Sequence, residues 1–315
     1  MEGMLISVII PVYNEAEGLP TLFEALEKLK VQYPDRHFEF VLVDDGSRDG
    51  SYAIMQQLGK NKSDYVLAQL CRNFGSHAAL RAGMTLACGD YMAFISADLQ
   101  DPPEMAVKML DAALTENVGL VWGQRLERKD PWHKSLAAGL FYKLIQRYVF
   151  PNLPEGGVDV FLMSRAVMLK LQDLKEKNTV PYYQLLWMGV PFTSVGYVRA
   201  ARQHGVTKWS FAKRLKMAID VFFLYSYLPL RLVSYAGMIL TGAGFVWAIV
   251  ILYLHMIQNA AQPGWASLML AILFFSGLQL IFLGVIGEYL WRISEQGRGR
   301  PDFYLETVAD HRSQS

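Results

Sequence analysis

The chain has 315 residues, room for about two domains or for one domain and a membrane part. Its net charge of +1 gives no whole-chain signal for nucleic acid, and no nucleic acid is expected as a partner. Hydrophobic residues make up 52% of it and mean hydropathy is +0.18, high for a soluble enzyme, with most of the excess after Leu228.

The first apolar run, Met4 to Val12, is too short for a signal peptide, lacks a basic flank and runs into Pro11. It reads as a buried first strand, so the N-terminal domain is expected on the cytoplasmic side. Short Val/Ile/Leu-rich runs then recur at Leu5–Ile10, Phe38–Val43, Tyr65–Leu70, Tyr91–Ile95 and Val118–Trp122, as strands buried on both faces require. Helical stretches lie between them at Leu19–Leu29, Asp49–Leu58, Ser76–Ala87 and Pro103–Leu114. This alternation predicts an α/β, doubly wound, mostly parallel sheet. Neither G-x-G-x-x-G after the first strand nor G-x-x-x-x-G-K-[ST] occurs, which disfavours a dinucleotide dehydrogenase or a P-loop ATPase. Cys71 and Cys88 are the only cysteines; they exclude a disulfide framework or a zinc site and are expected to be buried thiols.

Two later stretches are basic and amphipathic. In Lys134–Phe150 the residues Leu136, Leu140, Phe141, Leu144, Ile145, Tyr148 and Val149 share a face, opposite Lys134, Lys143, Gln146 and Arg147. Phe211–Tyr227 combines Phe211, Leu215, Ala218, Phe222 and Tyr225 with Lys213, Arg214 and Lys216. Such helices suit a headgroup layer or packing on the sheet; the apolar spans that follow favour the interface. Leu232–Ile257 carries no charge and would cross a bilayer core of ~30 Å at ~1.5 Å per residue. Ala266–Leu290 does the same with only Glu288 near its end. Arg231 precedes the first span and Arg292, Arg298 and Arg300 follow the second, while the link Gln258–Trp265 has no Lys or Arg. The positive-inside rule then puts both termini in the cytoplasm of a multi-pass protein of the inner membrane, anchored by a hairpin. Gly237, Gly242, Gly244, Gly277, Gly284 and Gly287 could pack that hairpin on itself or join protomers into a homo-oligomer.

Polar residues gather at the expected strand ends. Pro11-Val12-Tyr13-Asn14-Glu15 follows the first strand, and Asp44-Asp45-Gly46-Ser47 ends the second, with Ser47 or Asp49 placed to cap the next helix. Arg72-Asn73-Phe74-Gly75 ends the third, and Ser96-Ala97-Asp98-Leu99-Gln100-Asp101-Pro102-Pro103-Glu104 the fourth. Open α/β sheets bind ligands at the carboxyl ends of their strands. The oxygens of Asp98 and Gln100 suit a hard divalent cation, with Asp101 fitting the cap of the following helix better than Asp98 does.

These motifs together resemble the family 2 glycosyltransferases of the GT-A fold, and most closely the polyprenyl-phosphate glycosyltransferases such as dolichol-phosphate mannose synthases and bactoprenol glucosyltransferases. Those bacterial enzymes also end in two spans with a segment like Gly287-Glu288-Tyr289. The resemblance implies that Pro11, Tyr13 and Glu15 border the nucleoside, that Asp45 accepts hydrogen bonds from the base, and that Arg72 belongs to the nucleotide-sugar site. Asp98 and Gln100 would hold Mg²⁺ or Mn²⁺ against the diphosphate. Arg199 to Trp209 resembles the family's acceptor loop, so Arg202, Thr207 and Lys208, with Arg125, are expected on the lipid phosphate. Arg202, Lys208 and Asp98 are the expected catalytic residues, and Asp159 is a candidate for the sugar pocket.

The implied reaction moves a hexose, UDP-glucose being the first donor to try among UDP- and GDP-hexoses, to undecaprenyl phosphate with inversion. The chain departs from its relatives twice: Ser96 stands where they commonly carry the first Asp of Asp-x-Asp, and Phe161 where many carry Arg. The alternatives are a polysaccharide-type membrane glycosyltransferase, whose Gln-x-x-Arg-Trp signature is missing, and a catalytically weakened binding protein. The expected organisation is a nucleotide-sugar core over 1–130, an acceptor-side segment over 131–228, a hairpin over 229–293 and a cytoplasmic tail over 294–315.

Overall fold

A computed structural model of the chain describes residues 3–126, 143, 145–147, 149–154, 158–174, 176, 180–199, 220, 223–258 and 264–312. Contacts divide the chain into two units, Met1–Arg214 with Arg300–Ser315, and Leu215–Gly299.

The first unit is built on β1 (Leu5–Val12), β2 (His37–Asp44), β3 (Tyr65–Leu70), β4 (Tyr91–Phe94), β5 (Leu120–Arg125), β6 (Val158–Ser164), β7 (Phe192–Tyr197) and β8 (Leu305–Asp310). Its helices are α1 (Leu19–Gln32), α2 (Ser51–Gly59), α3 (Ser76–Leu86), α4 (Met105–Glu116), α5 (Arg165–Asp173) and α6 (Pro181–Trp187). The strands form one sheet in the order β7-β5-β6-β4-β1-β2-β3-β8. β1 is parallel to β2 and β4, β2 to β3, and β5 to β7, whereas β6 lies antiparallel between β4 and β5 and β8 antiparallel to β3. Six of these strands therefore run one way and place their carboxyl ends on one edge. β5 does not adjoin β4 as a simple alternation would have it; β6 is inserted between them.

The core follows from alternation within doubly buried strands. Ile6, Val8, Ile10 and Val12 of β1 face one cluster with α1 and α4, while Ile9 faces the other with α3. On α1 the apolar Leu19, Leu22, Phe23, Leu26 and Leu29 recur at helical spacing and all are buried. At Gly83 a Cβ would collide with Ile9, so α3 lies against β1 only because that side chain is missing.

The segment expected as a cytoplasmic tail supplies an edge strand. β8 pairs along β3, and Arg312 beyond it donates to the buried carboxylate of Glu39 and to the carbonyl of Leu86 at 3.0 Å. Glu39 in turn accepts from Ser7 and from the Cys88 N–H at 2.9 Å. Cys71 and Cys88 are exposed, not buried as expected, because both follow a secondary-structure element at the domain surface.

In the second unit, α7 (Leu228–Gln258) and α8 (Trp265–Gly297) contain the windows Leu230–Trp247 and Phe274–Gly297, each long and apolar enough to cross a membrane. Large apolar side chains such as Met238, Phe245, Trp247, Phe274 and Leu280 are exposed along them, as lipid-facing residues are. Arg292 makes ion pairs of 2.6 Å with both Asp220 and Glu288. Gly237 faces Phe282 across the hairpin at 3.7 Å, and Gly242, Gly244, Gly277, Gly284 and Gly287 have open space beside them.

Candidate active site

The loops after β1, β2, β3 and β4 converge on one edge of the sheet, and each contains a left-handed residue: Asn14 (φ 50), Gly46 (φ 65), Gly75 (φ 100) and Leu99 (φ 53). Positive φ is costly for Asn and more so for Leu, so the surrounding bonds must hold these turns. For the β1 loop those bonds are visible. The Asn14 N–H donates to Ser47 Oγ at 2.8 Å, Asn14 Oδ1 accepts the Arg48 N–H at 2.9 Å, and the Ala16 N–H donates to Asp49 Oδ2 at 3.0 Å. Asp49 also accepts the Ser51 N–H at the start of α2 at 3.1 Å, while Ser47 serves the β1 loop instead of that helix.

Asp44 and Asp45 are both buried at the end of β2. Asp45 accepts from Phe74 and Gly75, so its carboxylate lies on the amino end of α3, where negative charge is favoured. Burial pushes its pKa up to about 6, against the two backbone donors that lower it and with the neighbouring Asp44 adding to the rise. Asp44 accepts from the Ser47 N–H at 3.1 Å and Gln69 Nε2 at 3.3 Å. At Gly46 a Cβ would sit 2.5 Å from the Arg72 backbone, so only glycine lets the β2 and β3 loops touch. The Arg72 guanidinium lies 4.6 Å from the centre of the Phe74 ring. Between these loops is a cleft of about 230 Å³ lined by Tyr13, Ser47, Arg48, Gln69, Arg72 and Glu306 among others. Pro11 and Glu15 are half-buried on the flanks of the same β1 turn.

The β4 loop is organised by a hydroxyl. Ser96 Oγ lies 2.8 Å from Asp98 Oδ1 and 2.7 Å from Asp101 Oδ2, and its single proton satisfies one of them. Asp101 is buried and does not cap α4, which starts at Met105; Tyr197 O–H donates to it at 2.7 Å and Arg199 Nε lies at 3.3 Å. The buried carboxylate needs these partners more than the helix end does. Asp98 also accepts the Gln100 N–H at 3.2 Å, across the left-handed Leu99. Among the described residues no three His, Cys, Asp or Glu side chains form a metal cluster. The donor set of Asp98, the Gln100 amide and the Ser96 hydroxyl fits Mg²⁺ or Mn²⁺, hard cations that take one or two carboxylates with substrate phosphates and water.

Arg125 ends β5 on the same edge. Asp159 lies in β6, where Gly123 pairs with Val160 and Gln124 with Val158, so Asp159 is the extra residue of a bulge. Phe161 is buried against Phe94 and Trp122, with ring centroids 5.6 and 5.7 Å away. An apolar cluster thus fills this position. Arg202, Thr207 and Lys208, with most of the two amphipathic stretches Lys134–Phe150 and Phe211–Tyr227, lie outside the described residues. Sequence reasoning did not find Tyr197, Arg199 as a partner of Asp101, or Glu306. Tyr197 ends β7 and Arg199 follows it, a strand without a clear apolar signal, and Glu306 enters the cleft through a pairing irregularity.

A mixed sheet in this strand order, with an Asp-bearing loop after β4 and a cleft over β1 to β3, is the GT-A arrangement of a glycosyltransferase. The chain belongs to glycosyl transferase family 2, whose description matches residues 7–171. It is 35% identical to an uncharacterized glycosyltransferase of Bacillus subtilis, YkcC, over 95% of this chain and 93% of that one. It is 32% identical to the bactoprenol glucosyl transferase of Shigella phage SfV, over 96% and 98%. With the undecaprenyl-phosphate 4-deoxy-4-formamido-L-arabinose transferase of Proteus mirabilis it shares 31% identity over 96% and 93%.

Proposed function

We propose that this chain transfers a hexose, with inversion, from a nucleotide sugar to undecaprenyl phosphate at the cytoplasmic face of the inner membrane, UDP-glucose being the first donor to test. The observation that carries the reading is the convergence of the Asp45, Arg72 and Asp98 loops on one sheet edge. Relatives named as bactoprenol and undecaprenyl-phosphate transferases, similar over nearly the whole chain, support the lipid acceptor.

In this reading Pro11, Tyr13, Glu15 and Arg72 border the nucleotide, and Asp45, whose two oxygens accept the Phe74 and Gly75 N–H groups, shapes the pocket floor in place of the base contact that the family resemblance implies. Asp98 and Gln100 would hold Mg²⁺ or Mn²⁺, which supplies charge neutralisation for the departing diphosphate. Arg125, Arg202, Thr207 and Lys208 would bind and orient the lipid phosphate, Arg by forked hydrogen bonds. That phosphate has a second pKa near ~6 and is mostly dianionic at neutral pH. Its oxygen is already a nucleophile, so positioning and charge compensation dominate over general-base catalysis. An α-linked donor yields a β-linked product, with Asp159 at the sugar.

The membrane topology has a structural support. β8 follows the hairpin yet belongs to the sheet formed before it, which supports the reading that both termini share a side. In this reading Arg231, Arg292, Arg298 and Arg300 favour the cytoplasm for that side by the positive-inside rule. The open glycines of the hairpin leave room for a second protomer. The test is transfer of labelled sugar from a panel of UDP- and GDP-hexoses to undecaprenyl phosphate. Consumption of one donor with a polyprenyl-linked product supports the reading; no transfer from any donor rejects it.

A further inference from the structure

Glu306 sits where regular pairing breaks. Thr307 pairs with Gln69 and Leu305 with Leu70, so two residues of β8 pass one step of β3 and Glu306 is left over. Bulges next to active sites re-aim side chains. Here the extra residue lines the cleft with Tyr13, Ser47, Arg48 and Arg72. Its carboxylate is exposed, with no hydrogen bond or ion pair to the described residues.

The strand order fixes which end of a ligand it would meet. β8 is four strand steps from β4, through β1, β2 and β3, roughly 19 Å at the usual strand spacing. A nucleoside diphosphate with its phosphates at Asp98 would lie across β1 and β2 with its base, not its ribose, nearer β8.

We propose that Glu306 reads the base of the donor nucleotide and selects bases whose ring nitrogen carries a proton; this rests on the nucleotide-sugar reading above. An ionised carboxylate only accepts hydrogen bonds. Uracil offers N3–H and guanine N1–H beside its amino group. Cytosine N3 and adenine N1 present lone pairs at the corresponding position, so a carboxylate there is repelled by the ring nitrogen and can accept only from the neighbouring amino group. A site that leaves such polar groups facing each other discriminates strongly. Glu306 therefore favours UDP- or GDP-linked donors over CDP- and ADP-linked ones.

The test is calorimetric binding of UDP, GDP, CDP and ADP to the full chain in detergent, for the unaltered protein, Glu306→Ala and Glu306→Gln. The unaltered protein should prefer UDP or GDP over CDP and ADP by roughly ten- to hundred-fold, the worth of a hydrogen bond to a charged group. Glu306→Ala should lose most of that preference by weakening the favoured nucleotide alone, with an unchanged melting temperature because the side chain is exposed. Glu306→Gln, whose amide donates as well as accepts, should narrow the gap by improving CDP. An Ala variant that keeps the base preference, or that weakens all four nucleotides equally, overturns the assignment while leaving the nucleotide-sugar reading standing. If the unaltered protein binds none of the four, both fall together.

Discussion

Asp45 accepts the backbone N–H of Phe74 at 2.7 Å, and its second oxygen accepts that of Gly75 at 2.9 Å. One buried carboxylate thus joins the end of β2 to the amino end of α3. Its pKa is raised from 3.8 to about 6, chiefly by burial. The folded state holds this proton more tightly than the unfolded chain does. The associated stability is therefore fully present below about pH 3.8 and is lost as the pH rises through about 6. Between pH 4 and 7 the stability difference between the unaltered protein and Asp45→Asn should change by on the order of 2 kcal/mol, the unaltered protein losing ground. Thermal or denaturant unfolding across that range reads it directly. A pH-independent difference would mean that Asp45 is not a buried, titrating carboxylate.

Asp98 is half-buried and accepts from Ser96 and the Gln100 N–H of its own loop, and its loss should cost chemistry more than stability. Asp98→Ala is expected to lower kcat by about 10²-fold or more, the scale of removing one preorganised electrostatic group. Its melting temperature should stay close to that of the unaltered protein. Equal activity, measured with saturating donor and Mg²⁺, would remove Asp98 from the active site.

Ser96 separates two carboxylates that would otherwise face each other, at 2.8 Å from Asp98 and 2.7 Å from Asp101. Ser96→Ala removes the one hydroxyl donor shared between Asp98 and the buried Asp101 and should destabilise the protein by about 1–3 kcal/mol. Ser96→Asp restores the commoner acidic motif but crowds three carboxylates. It should lower the melting temperature without metal and recover part of that loss with Mg²⁺ or Mn²⁺, read by a melting scan with and without each ion.

Arg312 reaches from the chain beyond β8 to Glu39, whose side chain is only 3% exposed. Arg312→Ala leaves that carboxylate with only Ser7 and the Cys88 N–H as partners. The cost should be about 3–5 kcal/mol, as for other buried pairs broken from one side. Removing residues 305–315 should do at least as much harm, since it also uncovers the β3 edge. Chemical unfolding of both variants checks this; an unchanged midpoint would make the tail a passive appendage.

The first half of the sheet was legible because β1 to β5 are short, apolar and separated by amphipathic helices such as α1. The site loops were legible because polar residues break those apolar runs abruptly, as at Asp44-Asp45 and Asp98. β8 was not: Leu305–Asp310 has no apolar run, is mostly exposed, and acquires its identity from pairing with β3. Glu306 was invisible for the same reason, because a bulge is a property of two strands together. Ser96 read as a missing carboxylate, whereas its hydroxyl bridges two acidic side chains whose proximity only the loop geometry reveals. Phe161 read as a lost polar contact but closes an aromatic cluster with Phe94 and Trp122.

The central claim is that the Asp98 loop holds a nucleotide sugar whose hexose passes to a lipid phosphate. Its most direct test compares the unaltered protein with Asp98→Ala in the formation of labelled glucosyl undecaprenyl phosphate from UDP-glucose, with Mg²⁺ and with the lipid acceptor present or omitted. A β-linked lipid product that requires the acceptor and falls by about 10²-fold or more in the variant is expected. A product formed equally well by Asp98→Ala, or label released from the donor at the same rate without undecaprenyl phosphate, would contradict it.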